Sequence, residues 1–307
     1  MMVHIETKKT KKDNDMKKVL LSIFAVAALA ISVNAQSVID AEEGHNPNDF
    51  YQKGIVVGKR AMPYAFLRES DVVWKMAIWR HIDLNENFNQ FFYYPIEQGK
   101  NEQGRINLVN LIMNAAQNGE IDIYEDDDMK VPQEWSKAMV NLQGRQLKVR
   151  YGEEDEFGEQ EVFNDTIPEE FDPATARLLK LKEYWYIDKQ DSRQKVRITG
   201  LAFRFMKNIL RSGESEEVAE WSFWIPMDDM RVRQVLVNAN AYDPNNDVAE
   251  RSYDDIFIQR YFDSYITRES NVYNREITQY LTGEDAIIES QLIEDKIFDI
   301  ETDMWEY

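Results

Sequence analysis

Cysteine is absent from this 307-residue chain, which excludes disulfides, thiolate nucleophiles and the acylated cysteine that anchors a bacterial lipoprotein. Histidine is almost as scarce. Of the three, His4 lies in the first few residues, leaving His45 and His81, and no His-Glu-x-x-His pattern exists, so zinc has no ligand set. There is no G-x-S-x-G elbow, no P-loop and no G-x-G-x-x-G turn. Basic charge is the minority: 36 Lys and Arg stand against 56 Asp and Glu, a net charge of −20. Nucleic-acid modules need a basic face to release counterions, so DNA and RNA are excluded as partners. The one long apolar run, Val19 to Val33, is broken by Ser22 and Ser32 and falls short of the roughly 20 residues that cross a bilayer. No direct membrane span is expected. What remains is a globular composition, 43% hydrophobic and 12% aromatic, with enough apolar mass for one or two packed cores.

Residues 1–35 read as an upstream extension followed by a signal peptide. Met16-Lys17-Lys18 supplies the charged start, the apolar run follows, and Val33-Asn34-Ala35 places small residues before Gln36, the pattern of a secretory cleavage site. Met16 is the favoured start of translation. Residues 1–35 carry six lysines and three acids, a net +3, so the mature chain would hold −23. An exported, cysteine-free, acidic chain needs a partner to hold it at a membrane.

Residues 36–60, with the Asn46-Pro47-Asn48-Asp49 turn, read as an N-terminal arm. From Ser70 the spacing of Val73, Trp74, Ala77, Ile78 and Ile82 predicts a helix capped by Ser70. Leu108, Leu111, Ile112, Ala115 and Ala116 predict a second, closed by Asn118-Gly119. Then the period changes. Tyr184 to Ile187, Lys195 to Phe205, Trp221 to Ile225 and Arg231 to Val237 are rich in β-branched and aromatic residues and predict strands. The polar link Asp188 to Arg193 suits a hairpin and therefore an antiparallel sheet. The acidic stretch Glu153 to Glu170 is expected to be a surface loop or insertion. After residue 243, Ile256, Phe257, Tyr261 and Tyr265 predict one helical face. A last amphipathic helix is expected from Asp285 to Trp305, opened by Thr282-Gly283-Glu284-Asp285.

The order helices, strands, helices gives an α+β fold, an antiparallel sheet core packed with helices and a helical C-terminal region. The expected divisions are 1–35, the arm 36–60, an α+β core 61–240 and a helical region 241–307. No catalytic, cofactor-binding or metal-binding residue can be assigned. His81, beside an apolar stripe, reads as a structural histidine. The runs Glu125 to Asp128 and Glu153 to Glu156 read as solvated, mutually repelling loops, although paired carboxylates could in principle serve a glycosidase. Asp243, Asn245, Asp247 and Asp254 hold positions 1, 3, 5 and 12 of a calcium loop, but Val248 stands where that loop needs glycine, so a turn followed by a capped helix is the simpler reading. Aromatic residues are abundant, and Trp305 and Tyr307 at the chain end are interface candidates, as are Arg68 and Trp74 by residue type and position.

Three blocks make the chain recognisable. They are Met62-Pro63-Tyr64 through Leu67-Arg68-Glu69-Ser70-Asp71-Val72-Val73-Trp74 to Ile82-Asp83-Leu84; Tyr184-Trp185-Tyr186-Ile187-Asp188-Lys189-Gln190 with Val196-Arg197-Ile198-Thr199-Gly200; and a tail running from Asn238-Ala239 through Tyr253-Asp254-Asp255-Ile256-Phe257 to Met304-Trp305-Glu306-Tyr307. Together they span about residues 55–307 and resemble the GldN/PorN family of Bacteroidetes gliding motility and type IX secretion. The resemblance implies a non-enzymatic periplasmic component that binds an outer-membrane lipoprotein of the GldK/PorK type and forms a large homo-oligomeric ring with it on the inner face of the outer membrane. A contact to the GldM/PorM motor component is also implied. The alternative is a periplasmic carbohydrate-binding or glycan-modifying protein that uses two carboxylates and stacked tryptophans. Copies at −23 repel one another, so in the ring reading the partner surface should be basic and assembly salt-dependent.

Overall fold

The computed structural model describes residues 59–96, 105–154, 160–169, 171–211, 214–243, 246 and 250–303. Its centre is a five-stranded antiparallel sheet. The strands are β1 (Val72–Asp83), β4 (Ala176–Asp188), β5 (Arg193–Arg211), β6 (Glu214–Pro226) and β7 (Tyr265–Glu269), in the spatial order β6-β5-β4-β1-β7. The expected hairpin between β4 and β5 is present. Asp188 pairs with Arg193, its carboxylate accepts from the backbone N–H of Gln190 at 3.0 Å, and Ser192 turns the chain at φ 51°. A separate two-stranded sheet pairs β2 (Arg145–Glu154) with β3 (Gln160–Pro168). Among the described residues six helices surround the sheets: α1 (Gln90–Tyr93), α2 (Leu108–Gln117), α3 (Trp135–Leu142), α4 (Met230–Asn238), α5 (Tyr253–Gln259) and α6 (Glu284–Asp303). The fold is α+β as expected.

Four local expectations are overturned. The segment from Ser70 is not a helix. Ser70 sits in a 3-10 turn, Glu69–Asp71, and Val72–Asp83 is the strand between β4 and β7. The reason is burial on both sides: Met76 through Ile82 are all buried, because both sheet faces are covered. A strand apolar on both faces loses the period-2 signal and imitates a helical stripe. Conversely, Arg231 to Val237 is helix α4 rather than a strand. Asp229 caps it by accepting from the N–H of Arg231 at 2.8 Å, and Val232 and Leu236, four apart, are buried. The cap was the overlooked signal, overridden by the alternation of Arg and Val. The acidic stretch Glu153 to Glu170 contains strand β3 where a loop was expected. The base of that hairpin docks on β5, where a Cβ on Gly144 would lie 3.0 Å from the Asn208 carbonyl oxygen, so glycine is required by close approach. Finally, α5 stops at Gln259. Arg260 adopts a left-handed conformation at φ 53°, so Tyr261 lies beyond the helix and Tyr265 begins β7.

Alternation along the sheet sends residues to two environments. On one face Ile82, Leu179, Leu181, Leu201, Phe203 and Phe205 meet α1, α2, α4 and α5 through Phe92, Leu108, Ile112, Leu236 and Phe257, forming the main core. Helix α2 shows why: Leu108, Val109, Ile112, Met113, Ala115 and Ala116 are buried. Asn107 caps its start, accepting from Asn110 N–H at 2.8 Å, and Gly119 at φ 72° ends it. Farther along the same face, Met76 and Ile78 of β1 meet Ile266, Ile277, Ile293 and Ile297, a smaller core beneath α6. On the opposite face Ala77, Trp79, Ala202 and Trp224 form a third cluster with Tyr124 and Tyr184.

Candidate functional site

The polar groups buried in this fold act as clamps. Arg233 of α4 is 2% exposed and grips Asp254 of α5 with two parallel bonds, Nε to Oδ1 at 2.9 Å and a terminal nitrogen to Oδ2 at 2.8 Å. Its remaining terminal nitrogen donates to the Met62 carbonyl, and its plane lies 4.4 Å from the Tyr64 ring. Gln234 completes the strap, donating to the Lys59 carbonyl at 2.8 Å and accepting from Ala61 N–H at 3.1 Å, while Arg197 donates to the Ala65 carbonyl at 3.0 Å. Burial pushes the Tyr64 hydroxyl pKa up. Asp254, the twelfth position of the calcium-loop pattern, has both oxygens committed to Arg233. Asn245 and Asp247 of that pattern lie outside the described residues, and no group of three or more potential metal ligands occurs among the described ones.

A second clamp joins the two halves of the helix-covered face. Glu183 is fully buried and accepts from Arg260 at 2.7 Å and from the Trp185 indole N–H at 3.0 Å. The Arg80 Nε lies 3.5 Å from it, and a terminal nitrogen of Arg80 donates to Glu294 of α6 at 2.8 Å. A carboxylate removed from water in this way is tolerated because cations and donors surround it.

On the opposite face, part of the acidic run Glu125 to Asp128 is not a free loop. Asp127 accepts from the Trp79 indole at 3.0 Å and from Arg268 at 3.3 Å, and Asp128 accepts from Lys182 at 2.8 Å. Hydrogen bonds from Lys130 and Lys182 hold the Asp128 carboxyl down at about 2. His81 is on this face of β1, buried between the rings of Trp221 and Tyr265 at centroid distances of 5.1 and 5.7 Å. Burial, helped by the charge of Lys180, lowers its pKa to about 4, so it is neutral near pH 7. A cavity of about 310 Å³ lies nearby, lined in part by Lys180, Trp221, Trp224, Glu125, Glu220 and Asn141.

Of the candidate interface residues, Arg68 is exposed at the entry to the 3-10 turn, and Trp74 is half-buried against the small core under α6. Trp305, Tyr307 and His45 lie outside the described residues. The conspicuous exposed apolar groups are others: Met62 and Phe66 on the strap, Val272 and Tyr273 after β7, and Ile287, Ile288, Leu292 and Phe298 on α6. Sequence reasoning passed over the last four because it treated α6 as having one apolar face. The signal was in the spacing, since Ile287 and Ile288 cannot both face the core with Ile293 and Ile297 on a 3.6-residue period.

These residues define an α+β protein whose buried charges fasten segments to one another and whose apolar surplus lies on its outer surface. No helix among the described residues is long and apolar enough to cross a membrane. The family model described as gliding motility associated protein GldN matches residues 67–306, and the chain belongs to that family. It is a family of gliding motility and type IX secretion and not a known enzyme family. No curated protein matches the chain.

Proposed function

We propose that this chain is a periplasmic structural component of the type IX secretion and gliding machinery, held at the inner face of the outer membrane by a lipoprotein of the GldK/PorK type with which it builds a large ring. A contact to the GldM/PorM motor component belongs to the same reading. The observation that carries the proposal is family membership over residues 67–306. Three features support it: the export signal read at residues 16–35, the lack of any cysteine for a lipid anchor of its own, and the exposed apolar groups on the strap and α6. Arg68, Trp74, Trp305 and Tyr307 remain proposed interface positions.

The test is affinity purification of tagged chain from detergent-solubilised outer membranes, with mass spectrometry and negative-stain imaging of one fraction. A co-purifying lipoprotein in large rings supports the proposal; a lone monomer overturns it. The cavity beside Trp221 and Trp224, with Glu125 and Glu220 at its wall, favours a second reading as a glycan-binding protein. That reading requires a glycan-dependent rise in thermal stability.

A further inference from the structure

A groove of about 550 Å³ runs between β7 and α6, and its walls differ in chemistry. The strand side includes Ile266, with Ile277 beside it; the helix side includes Ala286, Ile287, Ser290 and Glu294. Among the described residues β7 is the edge strand of the sheet, paired with β1. The N–H of Ile266 is already used, donating to Ser290 Oγ at 3.0 Å, so the groove offers side-chain packing more than a free ladder. Ile287 is 63% exposed and Phe298 66%. Phe298 follows Ile287 by eleven residues, about three turns, and so extends the same flank of the helix. Along α6 itself the charge is nearly all of one sign, although Glu294 is already paired with Arg80. Helix α6 carries Glu284, Asp285, Glu289, Glu294, Asp295, Asp299, Glu301 and Asp303 against Lys296 alone.

A second copy of the chain is a poor occupant. It would bring the same acidic helix, or another surface of a chain at −20, into a site already crowded with carboxylates. We infer that the β7/α6 groove docks a lysine- or arginine-rich amphipathic segment of a different protein, which seats an apolar side chain against Ala286 and Ile287 while its cations meet the carboxylates of α6. This deepens the ring-component reading and rests on it for the setting, by giving the basic partner surface a place to bind. The mode is that of an apolar anchor inside a charged rim, where the anchor supplies affinity and the rim supplies rate and selectivity.

The test places a photo-crosslinking amino acid at Ile287 or Phe298 in the full chain in cells, with Val140 on α3, 70% exposed, as the control position. Expected are crosslinks from 287 and 298, and not from 140, to a peptide of another protein with an excess of Lys and Arg. In parallel, Asp295→Lys with Asp299→Lys, both carboxylates being exposed, should lower recovery of that partner roughly tenfold, as should raised salt. Crosslinks to a second copy of the chain, to a peptide without basic excess, or none at 287 and 298 overturn the inference. Recovery of the lipoprotein by the wild-type chain and equally by the double variant overturns this inference while leaving the ring reading in place. Failure of the wild-type chain to recover any lipoprotein overturns the ring reading, and the crosslinks then decide the groove separately.

Discussion

Helices α2 and α6 are both rich in apolar residues, yet they use them differently. Of its ten residues α2 buries seven, and none of its large apolar side chains is among the exposed ones; of its twenty α6 buries three and leaves Ile287, Ile288, Leu292 and Phe298 in solvent. The polar groups divide the same way. Tyr253, which packs with α2 in the main core, is fully buried and donates to the carbonyls of Phe91 and Ile106 at 3.2 and 3.0 Å, whereas α6 meets the sheet through one buried bond, from Ile266 N–H to Ser290 Oγ, and two pairs whose α6 partners, Glu294 and Lys296, are exposed. The lesson is that apolar content alone does not tell what a helix is for. What α2 carries is consumed in making the fold, and about half of what α6 carries is left for contact with something else. A chain that leaves such a strip uncovered is marked at that strip for interaction.

The contrast should be breakable by mutation. The largest effect is expected in the clamp of the main helical layer. Arg233→Met leaves Asp254 buried without its cation and frees the strap at Met62, and it should cost about 3–5 kcal/mol of unfolding free energy in urea titration. Lys296→Ala on α6, breaking an exposed pair, should cost at most about 1 kcal/mol. Next comes packing. Ile112→Ala on α2 should lose about 2–5 kcal/mol, and Leu292→Ala on α6 less than about 0.5 kcal/mol. Equal losses at 112 and 292 would erase the distinction between the helices.

The last effect appears only as the solution is acidified and concerns the other face of the sheet. His81 titrates near 4 in the folded chain against an ordinary 6.5. The unfolded chain therefore takes up this proton more readily, and the contribution of neutral His81 is full above pH 6.5 and lost as pH falls toward 4. The total is about 3 kcal/mol at about 1.36 kcal/mol per pH unit of displacement. His81→Phe keeps a ring between Trp221 and Tyr265 and should flatten that part of the curve, read from urea midpoints across pH 4–7. An unchanged slope would mean that another group, such as the neighbouring Glu276 carboxylate, carries the dependence.

The sequence made the architecture legible where period and chemistry agreed. The β4–β5 hairpin was readable because β-branched alternation flanks a polar link, and α2 because a 3.6-residue stripe ends at Asn118-Gly119. It misled where burial on both faces removed the alternation, as in β1, and where alternating Arg and Val imitated a strand, as in α4. The clamps were not legible. Arg233 and Asp254 are 21 residues apart, Arg80 and Glu183 farther still, and nothing in either segment announces the other. The functional surface was half legible. Family membership could be read from ordered blocks, and Arg68 and Trp74 could be named by type, but only the packing of α6 separates the isoleucines used inside from those left outside.

The most direct test of this contrast is amide hydrogen exchange on the full chain, free and in the complex purified from outer membranes. The account predicts that α2 residues 108–117 exchange slowly and equally in both, while residues 264–278 and 284–303 exchange faster in the free chain and gain protection in the complex. Protection gained elsewhere, with β7 and α6 unchanged, would contradict it.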